Sequence, residues 1–463
     1  MGGIVMKKIH ILHTNDLHSH FEYWPQIYQF LTDKRKQLEA DGHQVFVFDI
    51  GDFVDRSHPF TEATNGKGNI ELLNAAEYDA VTIGNNEGIT LSKESLASLY
   101  EQRNFEVILG NVRERDGQLP NWAQASKVYT TIDGIKIGIV GATAYYEQFY
   151  DVLGWTIEPP KERLIQEVQK LKDETDIIIC LSHLGIHEDR VLAEICPKID
   201  VILGAHTHHI LPEGEYVQQS LLAATGKFGD FVGHIELTMD ETTHRIEKKE
   251  ARLYQASDLP KCKETTEFVH QLLEKGKQSL NERAFYNRHP LKANLFSESE
   301  LASFFGRALL DYTKADCALF NAGIFLGSLP KGWVTKGDLH QLLPHPINVC
   351  TIELTGEQLQ LMYEQSMNPE LPEIEIKGLG FRGTLMGALI HERLYKNNSG
   401  QLFVGNRLVT ANEHYTLATL DMFTFGFFFP MFEHLPKNYL MPDLIRDVFE
   451  KYGQKISEST TLS

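Results

Sequence analysis

Residues 8–20 read KIHILHTNDLHSH: an apolar run built on Ile9, Ile11 and Leu12 gives way abruptly to a segment of Asp, Asn and His. Lys8 to His13 has the make-up of a core strand, and residue types that ligate metals follow it directly. The same succession recurs. GDFVDR (51–56) follows the strand candidate Gln44 to Ile50, GNNEG (84–88) follows Ala80 to Ile83, SHLGIH (182–187) follows Ile177 to Leu181, and GAHTHH (204–209) follows Val201 to Leu203. Further strands are expected at Val107 to Leu109 and Ile135 to Val140. Between them, Trp24 to Leu38 sets Trp24, Ile27, Tyr28 and Leu31 on one helical face, and Glu162 to Leu171 does so with Leu164, Val168 and Leu171. Strands alternating with amphipathic helices predict a layered α/β domain. In open sheets of this kind the loops at the carboxyl ends of the strands converge on one crevice, so the five polar segments are expected to meet there.

The chain has 463 residues, enough for two or three domains. Residues 241–252, ETTHRIEKKEAR, read as a solvated boundary. Glu264 to Leu280 reads as a linker helix. From Arg288 onward, helices such as Glu300 to Tyr312 mix with strands such as Val349 to Leu354 and Tyr415 to Leu420, giving an expected division into 1–255 and 256–463. Lys plus Arg number 44 against 63 Asp plus Glu, a formal charge of −19, which repels long polyanions and argues against nucleic acid as a partner. Five cysteines without CxxC spacing indicate neither a disulfide framework nor a Cys-rich zinc site. No stretch has the length of a membrane helix, and no apolar signal segment precedes the first strand. The Met1–Gly2 start lacks the Ser or Thr of a myristoylation signal, since Met6 stands there. The expectation is a cytoplasmic protein, monomeric or a small homo-oligomer, without a membrane partner.

The ligand types point to a dinuclear metal centre. Asp16 and His18 lie two residues apart, as do His206 and His208, so in extended segments each pair projects to one side. Mixed carboxylate and imidazole donors suit Mn, Fe or Zn rather than Mg or Ca. Two-metal hydrolases hold their ions about 3.5–4 Å apart, and Asp52 is read as the shared carboxylate.

HTNDLHSH, GDFVDR, GNNEG, SHLGIH and GAHTHH resemble the five motif blocks of the calcineurin-like metallophosphoesterases, specifically the bacterial 5′-nucleotidase family. GKFGDFVGHIEL (226–237) resembles the end of that family's catalytic domain. GRALLDYTKADCALFNAG (306–323), VTKGDLHQLLP (334–344) and IELTGEQL (352–359) resemble its substrate-binding domain. The resemblance covers nearly the whole chain. It implies a four-layer α/β/β/α sandwich with a second α+β substrate-binding domain, and release of phosphate from a small phosphorylated metabolite, such as a nucleotide, by a metal-bridging hydroxide. Carried over by residue, one divalent ion would be bound by Asp16, His18, Asp52 and His208, and the other by Asp52, Asn85, His183 and His206. Alternative readings are a cyclic-nucleotide phosphodiesterase or nucleotide-anhydride hydrolase, and a catalytically weak, metal-dependent small-anion binder.

Several positions depart from the family. Asn86 replaces the histidine of GNHE and Ile89 its partner aspartate, the pair that assists departure of the leaving oxygen. This places Asn86 in the catalytic position and makes His58, on the Asp52 loop, the candidate replacement acid. Phe325 stands where a phosphate-clamping arginine is usual, His345 falls in the segment whose Phe stacks on a base, and Gly426 to Pro430 replaces a loop that holds ribose. Arg288, Asn321, His345 and Phe425 are the candidate substrate contacts, although the aromatic run from Phe423 to Phe432 reads first as core. Asp49 is assigned to a strand end, Asp55 to a pairing with Arg56 or a neighbour, and His20 and His209 to positions outside the ligand set.

Overall fold

In the computed structural model, which describes residues 6–459, the apolar strands of the first unit pair into two six-stranded sheets. Met1 to Val5, with the amino-terminal signal considered above, lie outside the described residues. One sheet runs in the order Ile246–Gln255, Phe231–Asp240, Met6–Thr14, Gln44–Asp49, Ala80–Val81, Glu106–Val107. The other runs Glu215–Val217, Ser220–Ala223, Val201–Gly204, Ile177–His183, Lys136–Thr143, Ser126–Thr130. Alternate residues of both sheets, including Ile9, Ile11, Phe46, Phe48, Ile137, Ile139, Ile179, Leu203 and Ile235, bury into a common core, as a two-residue side-chain period requires. The outer face of the second sheet packs Val140, Ile178 and Cys180 against Leu164 and Val168 of the helix Pro160–Leu171 and Leu192 of the helix Ile186–Ile195. On the first sheet, the helix Trp24–Ala40 packs against Gln44–Asp49. The result is the four-layer helix/sheet/sheet/helix sandwich.

The charged segment read as a boundary proves to be a strand. Ile246–Gln255 pairs antiparallel with Phe231–Asp240 along its length, and its polarity belongs to a sheet edge that faces water. Lys263–Lys277 is a helix, followed by a short 3₁₀ turn at Gln278–Asn281. The chain divides into two compact units, Met1–Gly276 and Lys277–Ser463.

The second unit is α+β. Its five-stranded sheet has the order Leu389–Glu392, Cys317–Asn321, His414–Leu420, Asn348–Thr355, Lys437–Leu444. The helices Glu300–Thr313 and Ile445–Ser459 contribute Phe304, Phe305, Leu309 and Phe449 to its core. None of the five cysteines is in a disulfide. Among the described residues no helix is long and apolar enough to cross a membrane.

Candidate metal centre

The loops after the strands Met6–Thr14 and Gln44–Asp49 are tied together by their backbones: Asp16 N–H donates to Gly51 O at 3.0 Å and His18 N–H to Asp52 O at 2.7 Å. The third loop closes on them. Gly84 has no room for a side chain, because a Cβ there would meet Asp52 Oδ1 at 2.0 Å. Glu87, in the first turn of the helix Asn85–Thr90, accepts the backbone N–H groups of Asp52, Val54 and Gly84 at 3.0, 2.8 and 2.8 Å. Asn86 N–H donates to Asp52 Oδ1 at 2.7 Å, and His206 N–H to Asp16 Oδ2 at 3.0 Å. Asp16, His18, Asp52, His206 and His208 all adopt positive φ. That conformation is uncommon outside glycine and concentrates at functional sites.

These loops bring seven side chains from five segments into one region. Ligand atoms of Asp16, His18 and His208 lie within 4.8 Å of one another, and so do those of Asp16, Asp52 and His183. His18 Nε2 is 3.7 Å from Asp16 Oδ1 and from Asp52 Oδ2, and 3.2 Å from His208 Nε2. His183 Nε2 is 3.4 Å from Asp52 Oδ2. The His206 ring centre lies 5.3 Å from that of His183. Asn85 sits beside Asn86, its Nδ2 donating to Asn86 Oδ1 at 3.3 Å.

Donor counting tests whether a cation fits. His183 Nδ1 is bonded to Ile50 O at 2.7 Å and so carries the proton, while Nε2 is buried without a partner and faces carboxylate oxygen. Asn85 Oδ1 is also buried and unpartnered. Two orphaned acceptors, on loops that also carry buried carboxylates, leave a deficit that a cation satisfies. The electrostatics agree. Burial opposes a charge on His183, yet Asp52 and Asp16 override it and raise its proton affinity; burial likewise opposes charge on His18, and Asp55, Asp52 and Asp16 raise it. Both shifts report strong negative potential in a closed space. The donor set fits a divalent metal.

The other named residues are held by partners of their own. Arg56 forms a two-pronged bond to Glu62 at 2.8 and 3.0 Å. Asp55 places Oδ2 3.5 Å from His18 Nδ1, and the Asn86 side-chain nitrogen lies 2.9 Å from the same atom. His58 caps the helix Pro59–Thr64, its Nδ1 accepting Phe60 N–H at 3.2 Å; that nitrogen is committed to the helix. His20 stacks on Phe228, and His209 Nδ1 bonds Thr207 Oγ1. Asp49 closes its strand, accepting from Thr14 Oγ1 and Gly51 N–H. Two residues escaped sequence reasoning. Glu87 was legible as the third residue of a helix opened by glycine. Tyr146, whose hydroxyl lies 3.5 Å from His206 Nε2, follows a strand whose end carries no metal-ligand type.

In the second unit, Phe325 packs with Phe305 and Phe320 in the core. His345 is fully buried, stacked on Phe381, with Nδ1 accepting Arg382 N–H and Nε2 donating to Ile324 O, both at 2.8 Å. A base cannot stack on it without displacing this packing. Asn321 is buried at a strand end and donates to Met386 O at 2.8 Å. Arg288 is exposed just past the strand Arg283–Asn287. Phe425 is 39% exposed and Phe427 74%, while Phe423, Phe429 and Phe432 are core.

A sandwich of two sheets with acidic and imidazole side chains gathered at its strand ends is the arrangement of a metal-dependent hydrolase. The comparisons name the family: residues 9–209 match the calcineurin-like phosphoesterase model and residues 279–434 the 5′-nucleotidase C-terminal domain, and the chain belongs to the proteins that combine the two. The uncharacterized metallophosphoesterase YunD of Bacillus subtilis is 38% identical over 453 residues, spanning 96% of this chain and 98% of that protein. A 5′-nucleotidase of Vibrio cholerae is 24% identical over 422 residues, covering 76% of this chain and 74% of its own. The NAD nucleotidase of Haemophilus influenzae superposes with a TM-score of 0.66 at 16% identity, over 98% of this chain and 97% of that one. That last likeness is one of fold.

Proposed function

We propose that this chain is a two-metal hydrolase of small phosphomonoesters, nucleotides among them, using Mn, Fe or Zn. The observation that carries this reading is a pair of buried, unpartnered acceptors, His183 Nε2 3.4 Å from the Asp52 carboxylate and Asn85 Oδ1 on the adjoining loop. Asp16, His18, Asp52 and His208 would hold one ion and Asp52, Asn85, His183 and His206 the other. Such ions supply a nucleophilic water of lowered pKa and positive charge for the phosphoryl oxygens. With only Asp16 and Asp52 as anionic ligands, two dications leave the pocket positive within an acidic protein, which favours a small anion bound deep over a long one.

The remaining work falls to side chains of this chain. Glu87 fixes the Asp52 loop against Asn85 through three backbone bonds. Asp55 accepts the Nδ1 proton of His18 and turns Nε2 toward the cluster, a common way of orienting a ligand histidine. Asn86 carries no titratable proton, so it delivers none to a leaving oxygen. That absence favours substrates with acidic leaving groups and supports a second reading, cleavage of diesters or anhydrides.

A phosphate-release screen over nucleotides, cyclic nucleotides and sugar phosphates, with metal content measured in parallel, tests the reading. The wild type is expected to bind two ions and release phosphate, and Asp52→Asn to lose both. Hydrolysis persisting in metal-free Asp52→Asn protein would sink the proposal, and ions bound without turnover of any ester would favour an anion sensor.

A further inference from the structure

At the carboxyl ends of the strands Lys136–Thr143, Ile177–His183 and Val201–Gly204 lies a hollow of about 460 Å³, formed by the first unit alone. His206 belongs both to this hollow and to the candidate metal centre. Tyr146 also lines the hollow, its hydroxyl 3.5 Å from His206 Nε2. Tyr145, 44% exposed, and the prolines Pro159 and Pro160 give the walls flat, C–H-rich surfaces. The only cation on the lining is Lys161, and Glu188 holds its Nζ at 2.7 Å. With Glu162 and Glu188 both present, the lining carries one positive and two negative charges.

We propose that this hollow receives the alcohol half of the phosphoester and selects an uncharged ring bearing hydroxyl groups. The inference rests on the phosphomonoesterase reading above. Volume, position and chemistry each constrain the occupant. The space falls within the range of small-molecule sites, and sharing His206 places it next to the phosphoryl position. Aromatic and proline faces hold a ring by stacking, as they do for nucleobases and sugars. Carboxylates accept hydroxyl donors and repel a second phosphate, while the one ammonium is already paired. Within the second unit, Phe325 and Phe429 are core and His345 has both nitrogens bonded, so none of these three is free to stack on a ring.

The test uses the Mn²⁺-loaded full chain and four esters: ethyl phosphate, a hexose 6-phosphate, a nucleoside 5′-monophosphate and the matching 5′-diphosphate. The better of the two ring monoesters is expected to exceed ethyl phosphate at least tenfold in kcat/KM, and which one wins identifies the ring as sugar or nucleoside. The diphosphate should fall at least tenfold below its monophosphate, a gap that Glu188→Gln narrows. Tyr145→Ala should collapse the ring-to-ethyl ratio at least tenfold, and Tyr145→Phe, which keeps the flat face, should retain it within about threefold. A second readout needs no metal and no turnover: saturation-transfer NMR should detect the free nucleoside or hexose on the metal-free protein and lose it in Tyr145→Ala. A wild-type ratio near one, an unchanged ratio in Tyr145→Ala, or no ring binding by NMR overturns the proposal. Failure of every ester to release phosphate defeats the phosphoesterase reading instead, and the NMR experiment then decides the hollow by itself.

Discussion

His183 in the first unit and His345 in the second are both wholly buried, with 0% of either exposed, yet they do opposite things. His345 has a partner on each nitrogen, a stacked phenyl ring on its face, and a proton affinity pushed down to about 3 by burial, with the bond to Ile324 and nearby Arg382 and Arg446 as lesser influences. It is a satisfied core residue. His183 has one nitrogen committed to Ile50 O, the other unpartnered and aimed at Asp52, and a proton affinity that nearby carboxylates raise against burial. Burial and residue type are identical in the two. What separates structure from function is whether every polar atom is accounted for inside the protein.

The contrast can be broken most severely at the unsatisfied site. His183→Ala should remove bound metal and lower phosphate release by at least about 10³-fold, whereas His345→Ala should leave metal content intact; mass-spectrometric metal counts on both variants check this. The satisfied site should fail in stability instead. Losing both hydrogen-bond partners and the ring of His345 should cost about 3 kcal/mol, read as a lowered denaturant midpoint of the full chain. An unchanged midpoint would mean that its bonds contribute little.

Restoring the absent pair, Asn86→His with Ile89→Asp, should raise kcat/KM for an alkyl monoester by about 10²-fold, with a much smaller gain for p-nitrophenyl phosphate, whose leaving group needs no proton. Equal gains would show that Asn86 acts on binding. Asp55→Asn keeps the fold of the loop but weakens the grip on His18 Nδ1, so metal affinity should drop about 10-fold, measured by competition with a chelator.

A further effect concerns pH. Because the folded-state pKa of His345 lies near 3 and the unfolded value near about 6.5, the unfolded chain binds the extra proton between these limits. Its share of stability is intact above about pH 6.5 and declines as pH falls toward 3, by up to about 1.4 kcal/mol per pH unit. His345→Gln should flatten that slope in denaturant titrations across pH. A slope unaffected by the substitution would assign acid lability to other histidines, such as buried His13 and half-buried His391, both also depressed by desolvation.

Much of the molecule was legible in one dimension, because the signals involved are local. A strand such as Ile177–His183 shows itself in a continuous β-branched run, and the ligand types of HTNDLHSH and GAHTHH fall just past their strands, where a parallel sheet must place its crevice. The helices Trp24–Ala40 and Glu300–Thr313 follow from their apolar spacing in the same way. The edge strand Ile246–Gln255 was hidden because its charge density imitates a linker; only its pairing partner makes it a strand.

By itself, then, the sequence determined the order of most strands and helices, the presence of two units, and the residue types delivered to the strand ends. Tertiary structure decided which atoms those residues meet. The bond that leaves His183 Nε2 free joins residues 133 positions apart, and the contact that sets Asn86 against His18 spans 68. It also consigned Phe325 to a core and brought Tyr146 to His206, outcomes with no local signature. The physical reason is that periodicity and propensity act over a few residues, whereas satisfaction of a buried polar atom depends on chain segments that only the folded sheets bring together.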